Sequence, residues 1–85
     1  MNERTANGSM EPETKVLTKS PPTLEEAQKF VGGLVEIVYL MDGAQMLVNE
    51  EGLLMELPVN PMASVWAGKL IVGNALVLDE EAKWE

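Results

Sequence analysis

Turn and cap residues fall so densely between Thr23 and Leu78 that only short elements fit between them, and the signals alternate between those of helices and those of strands. Thr23 and Glu26 have capping-box spacing: the hydroxyl serves the orphan amides of a first turn, and the carboxylate reaches back to the Thr23 amide. Glu25 and Glu26 also sit at the positive end of the helix dipole. Leu24, Ala27, Phe30 and Val31 recur at three- and four-residue spacing, which predicts one docking stripe. Gly32-Gly33 offers the positive-φ residue on which helices commonly end.

The next segments read as strands. Residues 34–41 are apolar except at Glu36 and Asp42-Gly43 follows, a strong two-residue hairpin signal. Such a loop pairs Met41 with Ala44, so Tyr39 faces Met46, Val38 faces Leu47, Ile37 faces Val48 and Glu36 faces Asn49. Asn49-Glu50-Glu51-Gly52 closes the second strand. Residues 53–58 lack a clean period and end in a proline, which predicts an extended cover over the core, outside any central strand.

Asn60 is a good N-cap and Pro61 a good first helical residue, so a short helix is expected through Ala67, with Met62, Val65 and Trp66 buried and Gly68 as its end. Residues 70–72 and 75–78 then read as strands, and Gly73-Asn74 between them is either a two-residue turn or a bulge in one longer strand. The expected architecture is a small single α+β domain: a helix over 24–32, a hairpin of 34–41 and 44–49, a short helix over 61–67, and a C-terminal strand or hairpin over 69–78. Residues 23–79 form that domain. Residues 1–22, rich in Asn, Gly, Ser, Thr and Pro, are expected to be a flexible tail in which residues 15–18 are a candidate edge strand, and residues 80–85 a polar end with Trp84 either packed back or exposed.

Eighty-five residues allow one thin core, and neither cysteine nor histidine is present. A chain of this size buries only about 60% of its unfolded surface, and no thiolate or disulfide supports it. The missing histidine removes the commonest metal ligand and the usual general base together. Residues 1–22 are balanced in charge, so the net charge of −8 belongs to the rest, where eleven carboxylates face only Lys29, Lys69 and Lys83. That balance repels phosphate, so direct nucleic-acid contact is not expected. No apolar run reaches the about 18 residues of a membrane span, and residues 1–9 lack the pattern of a secretory leader. A soluble, cytoplasmic protein is expected.

Thr-Leu-Glu-Glu-Ala-Gln-Lys-Phe-Val-Gly-Gly (23–33), Val-Asn-Glu-Glu-Gly (48–52), Leu-Pro-Val-Asn (57–60) and Ala-Gly-Lys-Leu-Ile-Val-Gly-Asn-Ala-Leu-Val-Leu (67–78) stand in order along the chain. With them the sequence resembles a family of small uncharacterised proteins of bacteriophages, plasmids and bacterial genomes. In that family the glycine pair is often followed by an aromatic residue; here Leu34 takes that place. The resemblance implies a phage-type origin and a fold, and it brings no catalytic residue with it.

The residues themselves offer little for catalysis. Ser9, Ser20 and Ser64 have no histidine to activate them. Glu50-Glu51 and Asp79-Glu80-Glu81 are adjacent pairs in expected loops, where solvated charge is the simpler reading. Phosphate cradles precede helices, whereas Gly32-Gly33 follows one, and Asn49–Gly52 lacks calcium-ligand spacing. No cofactor, metal site or enzymatic activity is expected. The candidate interaction residues are Glu36, a carboxylate in an apolar strand that either reaches water, pairs with Lys29 or Lys69, or meets a partner; Asn49, Glu50, Glu51 and Asn60; and Met55 with Trp84, which would form an exposed apolar patch.

These readings predict a phage-type accessory protein acting as a non-enzymatic interaction module on an unidentified host or phage protein, as a monomer or weak homodimer. Two alternatives remain: a small-ligand binder with a pocket between the hairpin, residues 53–57 and the second helix, and an acidic DNA-mimic inhibitor.

Overall fold

A computed structural model of the chain describes residues 11–85. The expected tail over residues 1–10 lies outside the described residues. The elements are β1 (Thr14–Leu17), α1 (Leu24–Val31), β2 (Val35–Tyr39), β3 (Gln45–Asn49), α2 (Pro61–Ala67), β4 (Ala75–Leu78) and a 3-10 turn (Glu80–Ala82). The strands form one mixed sheet in the order β1-β4-β3-β2. β2, β3 and β4 run antiparallel, and β1 joins β4 in parallel. The fold is α+β, as the alternating signals require.

Residues 11–22 were expected to belong to the tail, with residues 15–18 as a candidate edge strand; the edge strand forms one residue earlier, over Thr14–Leu17, and pairs with Ala75–Leu78. The strand is short because Asn74 and the 3-10 turn bracket it: Asn74 Oδ1 accepts from the Glu13 amide at 2.8 Å, and Thr18 O accepts from the Glu81 amide at 3.2 Å.

α1 is built as its sequence dictates. The Thr23 hydroxyl accepts from Glu26 N at 3.0 Å, Glu26 Oε1 accepts from Thr23 N at 2.9 Å, and the helix ends at Gly32. Ala27 and Val31 are buried, Phe30 is half-buried and Leu24 is exposed.

The hairpin register is one residue away from the expected one. Val38 faces Met46, Ile37 faces Leu47, Glu36 faces Val48 and Val35 faces Asn49. A type I′ turn needs positive φ at both central residues, but of Asp42 and Gly43 only Gly43 adopts it, at 92°. The loop is therefore three residues, Met41-Asp42-Gly43, closed by Leu40 N to Ala44 O at 2.9 Å and Gly43 N to Leu40 O at 3.0 Å. The Asp42 carboxylate, accepting from Ala44 N at 3.1 Å, stabilises the wider loop. Because strand side chains alternate faces, the slip changes every cross-strand partner. Tyr39 now lies opposite Gln45 and is 71% exposed.

β3 and β4 are buried at every position. On one face Leu47, Leu76 and Leu78 pack with Ala27 and Ala82, flanked by Leu17, Phe30, Val35, Ile37 and Trp84. On the other, Met46, Val48, Ala75 and Val77 pack with Ala44, Ala63 and Ile71. α1 and the C-terminal residues thus cover one face, and α2 with the segment after it covers the other. The polar end over 80–85, where Trp84 was expected either to pack back or to be exposed, folds back, with Trp84 packed against the core and Ala82 buried.

α2 has the expected cap and ends but the opposite orientation. Met62, Val65 and Trp66 are exposed, at 54%, 79% and 45%, and the buried residue is Ala63. The helix turns its small face inward: Ala63 and Ala67 let the backbone approach the sheet, and Ser64 Oγ accepts from Ile71 N at 2.8 Å and donates to Ile71 O at 3.2 Å.

Residues 51–56 form consecutive turns where an extended cover was expected. Met55 N donates to Glu51 O and Leu57 N to Gly52 O, which leaves Leu53 and Leu54 facing outward. Residues 70–72 are not a sheet strand either. Val72 forms an isolated bridge with Val59, and the chain bends at Gly73 before entering β4. Gly73 has a φ of 79°, and a Cβ there would stand 2.8 Å from Leu57 Cδ1. The bend is neither a hairpin turn nor a bulge within one strand.

Mutation reads this packing directly. Leu47→Ala should cost about 2–5 kcal/mol by chemical denaturation, as for a fully buried leucine, while Met62→Ala should stay within about 0.5 kcal/mol. A larger loss at Met62 than at Leu47 would contradict the observed orientation of α2.

Candidate functional site

Of the residues singled out in the sequence, three are structural joints. Asn60 is 1% exposed. Its Oδ1 caps α2 by accepting from Ala63 N at 3.1 Å, and its Nδ2 donates to Gly73 O at 3.0 Å and to Thr14 Oγ1 at 2.9 Å. One side chain thereby joins β1, α2 and the Gly73 bend. Asn49 is also buried: Nδ2 donates to Val31 O at 3.1 Å, and Oδ1 accepts from Glu51 N at 2.7 Å. It fastens the end of α1 to the turns after β3, with Met55 Sδ 3.6 Å from Nδ2.

Trp84 belongs to the opposite end of the sheet and does not meet Met55. Its Nε1 donates to Pro22 O at 2.8 Å. Its backbone exchanges two 2.7 Å bonds with the Gln45 amide, N donating to Oε1 and O accepting from Nε2. The C-terminus is clasped to β3 and to the lead-in of α1. The expected patch of Met55 with Trp84 is therefore not formed.

Asn74, which the sequence marked only as a turn residue, is a fourth joint. Its Oδ1 holds Glu13 N and its Nδ2 donates to Phe30 O at 2.9 Å. Gln45 was likewise missed, since an amide in a strand gives no signal of whether it faces water or a neighbouring backbone.

The remaining candidates converge. Glu36, Glu50 and Glu51 are exposed and, with the edge of Asn49, line a groove of about 470 Å³. Its apolar lining comes from Val38 on β2, from Leu53 and Leu54 in the turns, and from Leu70 after α2; among the described residues Lys69 is its one cation. Glu36 does not face Asn49, because the hairpin register places it across from Val48. Leu54 is 84% exposed and stands as a wall. A second hollow of about 400 Å³ on the same side of the sheet is lined by Val16, Leu40, Met41, Trp66 and Val77 with Asp42 and Asp79.

Both hollows have one cause. A helix that docks through Ala63 and Ala67 covers only a narrow strip, and the sheet beside it stays open toward β2 and toward β1. Leu53, Leu54 and Leu70 could not be read as a surface from the sequence, because an apolar run after a turn has the same composition whether it covers a core or rims a groove.

Among the described residues no group of three or more acidic side chains comes together to hold a metal ion, and no helix is long and apolar enough to cross a membrane. The described residues form a small α+β protein with one four-stranded sheet, covered on both faces and with β2 at an open edge. The chain belongs to the family described as Domain of unknown function (DUF3846), whose model matches residues 5–85. No curated protein and no solved structure matches the chain. A family without an assigned activity is what the four phrases of the sequence pointed to.

The joints carry a stability prediction. Asn60→Ala removes the cap, worth about 1 kcal/mol, and strands the buried Gly73 carbonyl, at about 1–3 kcal/mol more. Asn60→Asp keeps the cap acceptor but turns a second carboxylate oxygen toward the Gly73 carbonyl in a buried site, so it should remain less stable than the unaltered chain. Equal stability of the Asn60→Asp variant and the unaltered chain in urea titrations would remove Nδ2 from this role.

Proposed function

We propose that this protein is a non-enzymatic interaction module that binds another protein through the groove between β2 and Leu53, Leu54 and Leu70. The observation that carries this reading is an apolar groove rimmed by Glu36, Glu50 and Glu51 on a protein of net charge −8. Apolar contact supplies affinity, and the carboxylates select a basic partner and speed its encounter. The side-chain inventory supports the same reading: histidine and cysteine are absent, and the Ser64 hydroxyl is engaged with the Ile71 backbone.

The family resemblance supports the finer reading of a phage-type accessory protein working in the host cytoplasm on a host or phage protein. A small-ligand site at this place has less support, because Asn60 lies outside the groove with its amide engaged, and the leucine wall stands open. The test uses the full chain as bait at micromolar concentration in bacterial lysate. Leu54→Glu and Leu70→Glu, both at exposed positions, should keep stability within about 0.5 kcal/mol yet lose the proteins the unaltered chain retains. Retention of the same proteins by both variants would exclude the groove as the interface.

A further inference from the structure

Among the described residues β2 is an edge strand, paired with β3 on one side only. Leu40 N donates to Ala44 O and Glu50 N to Leu34 O, and these two bonds set the phase of the whole ladder. Facing pairs in an antiparallel ladder alternate between bonded and non-bonded. Leu34, Glu36, Val38 and Leu40 therefore turn their N–H and C=O toward β3, and Val35, Ile37 and Tyr39 turn theirs outward. Three donors and three acceptors stand along the open edge with the spacing of a strand. The outer edge of β1 is shorter, with only Thr14 and Val16 turned away from β4.

Side chains divide the edge by face. Val35 and Ile37 pack toward α1, whereas Glu36 and Val38 line the groove. An incoming strand would place alternate side chains over the groove, one across from Glu36 and one across from Val38. Edge strands are commonly guarded by charge, and Glu36 is the one charge on β2. A second copy of this chain would bring Glu36, Glu50 and Glu51 toward their own counterparts, with a net charge of −8 on each side. A basic segment meets the opposite field.

We propose that the free edge of β2 is completed by an extended segment of another protein, carrying Lys or Arg across from Glu36 and an apolar side chain across from Val38. The segment runs antiparallel, as β2, β3 and β4 do, the pairing that is slightly more stable per residue. This rests on the interaction-module reading and gives the partner's chemistry.

The probe is the blocked peptide Thr-Val-Leu-Val-Lys-Val-Thr, which places Leu across from Val38 and Lys across from Glu36 in the antiparallel register. Titrated into the full chain, it should give saturable amide shifts at residues 35–39 and at Leu53, Leu54 and Leu70. Tyr39→Pro removes one outward N–H at an exposed edge position without touching a bond to β3; it should weaken binding by about tenfold or more. Glu36→Lys should lose the Lys peptide and gain the analogue with Glu in that place.

Absence of saturable shifts at millimolar peptide, or binding indifferent to both variants, would overturn the proposal. So would concentration-dependent dimerisation of the unaltered chain with its β2 amides protected, which would make a second copy the occupant. Lysate capture that depends on Leu54 but survives Tyr39→Pro and Glu36→Lys would preserve the groove as an interface and remove strand addition alone.

Discussion

Burial of β3 and β4 on both faces is the constraint from which the rest of the structure follows. Two strands apolar at every position need two covering layers, yet a chain of 85 residues has little left from which to make them. α1 and the C-terminal residues form one layer; α2 and its flanking turns form the other. Side-chain amides hold their edges: Asn49 and Asn74 at the end of α1, Asn60 at the start of α2, and Gln45 at Trp84. Leaving such an amide unpaired in or beside the core is costly, so each joint favours the arrangement of segments that keeps its bonds.

The same scarcity explains the surface. α2 approaches the sheet closely because Ala63 and Ala67 face it, and close approach by small residues leaves the sheet uncovered on either side of the helix. The larger residues of that helix, Met62, Val65 and Trp66, are left outside. The turns over 51–56 project Leu53 and Leu54 beside the uncovered strip instead of closing it. The groove, its carboxylate rim and the open β2 edge are thus consequences of how a thin core was covered, and the interaction reading depends on that geometry.

Much of the fold was legible because local chemistry decided it. The capping box at Thr23, the cap and proline at Asn60-Pro61, and the stops at Gly32 and Gly68 each act within a few residues, and all stand where the sequence placed them. Less local features were misread. The Asp42-Gly43 pair marked the hairpin correctly but not its loop length, since the Asp42 side chain supports a three-residue closure as well. The inward face of α2 was misjudged because spacing identifies a stripe of large residues and says nothing of how near the sheet lies. Glu36, Glu50 and Glu51 come together along one groove, whereas Asn49, Asn60 and Trp84 are joints to segments distant in the chain.

Residue order alone determined the two helices with their caps and stops, the extended character of the hairpin strands and of residues 75–78, and the negative charge of the whole, because capping, backbone preference and ionisation act over a few residues. Only the tertiary structure decided that Thr14–Leu17 pairs with β4, that the hairpin pairs in its actual register, that α2 turns its alanines inward, and that β2 lies at the edge of the sheet among the described residues. Those outcomes depend on close packing and on hydrogen bonds between residues far apart in sequence, where a shift of one position or a rotation of one helix exchanges what is buried for what is exposed.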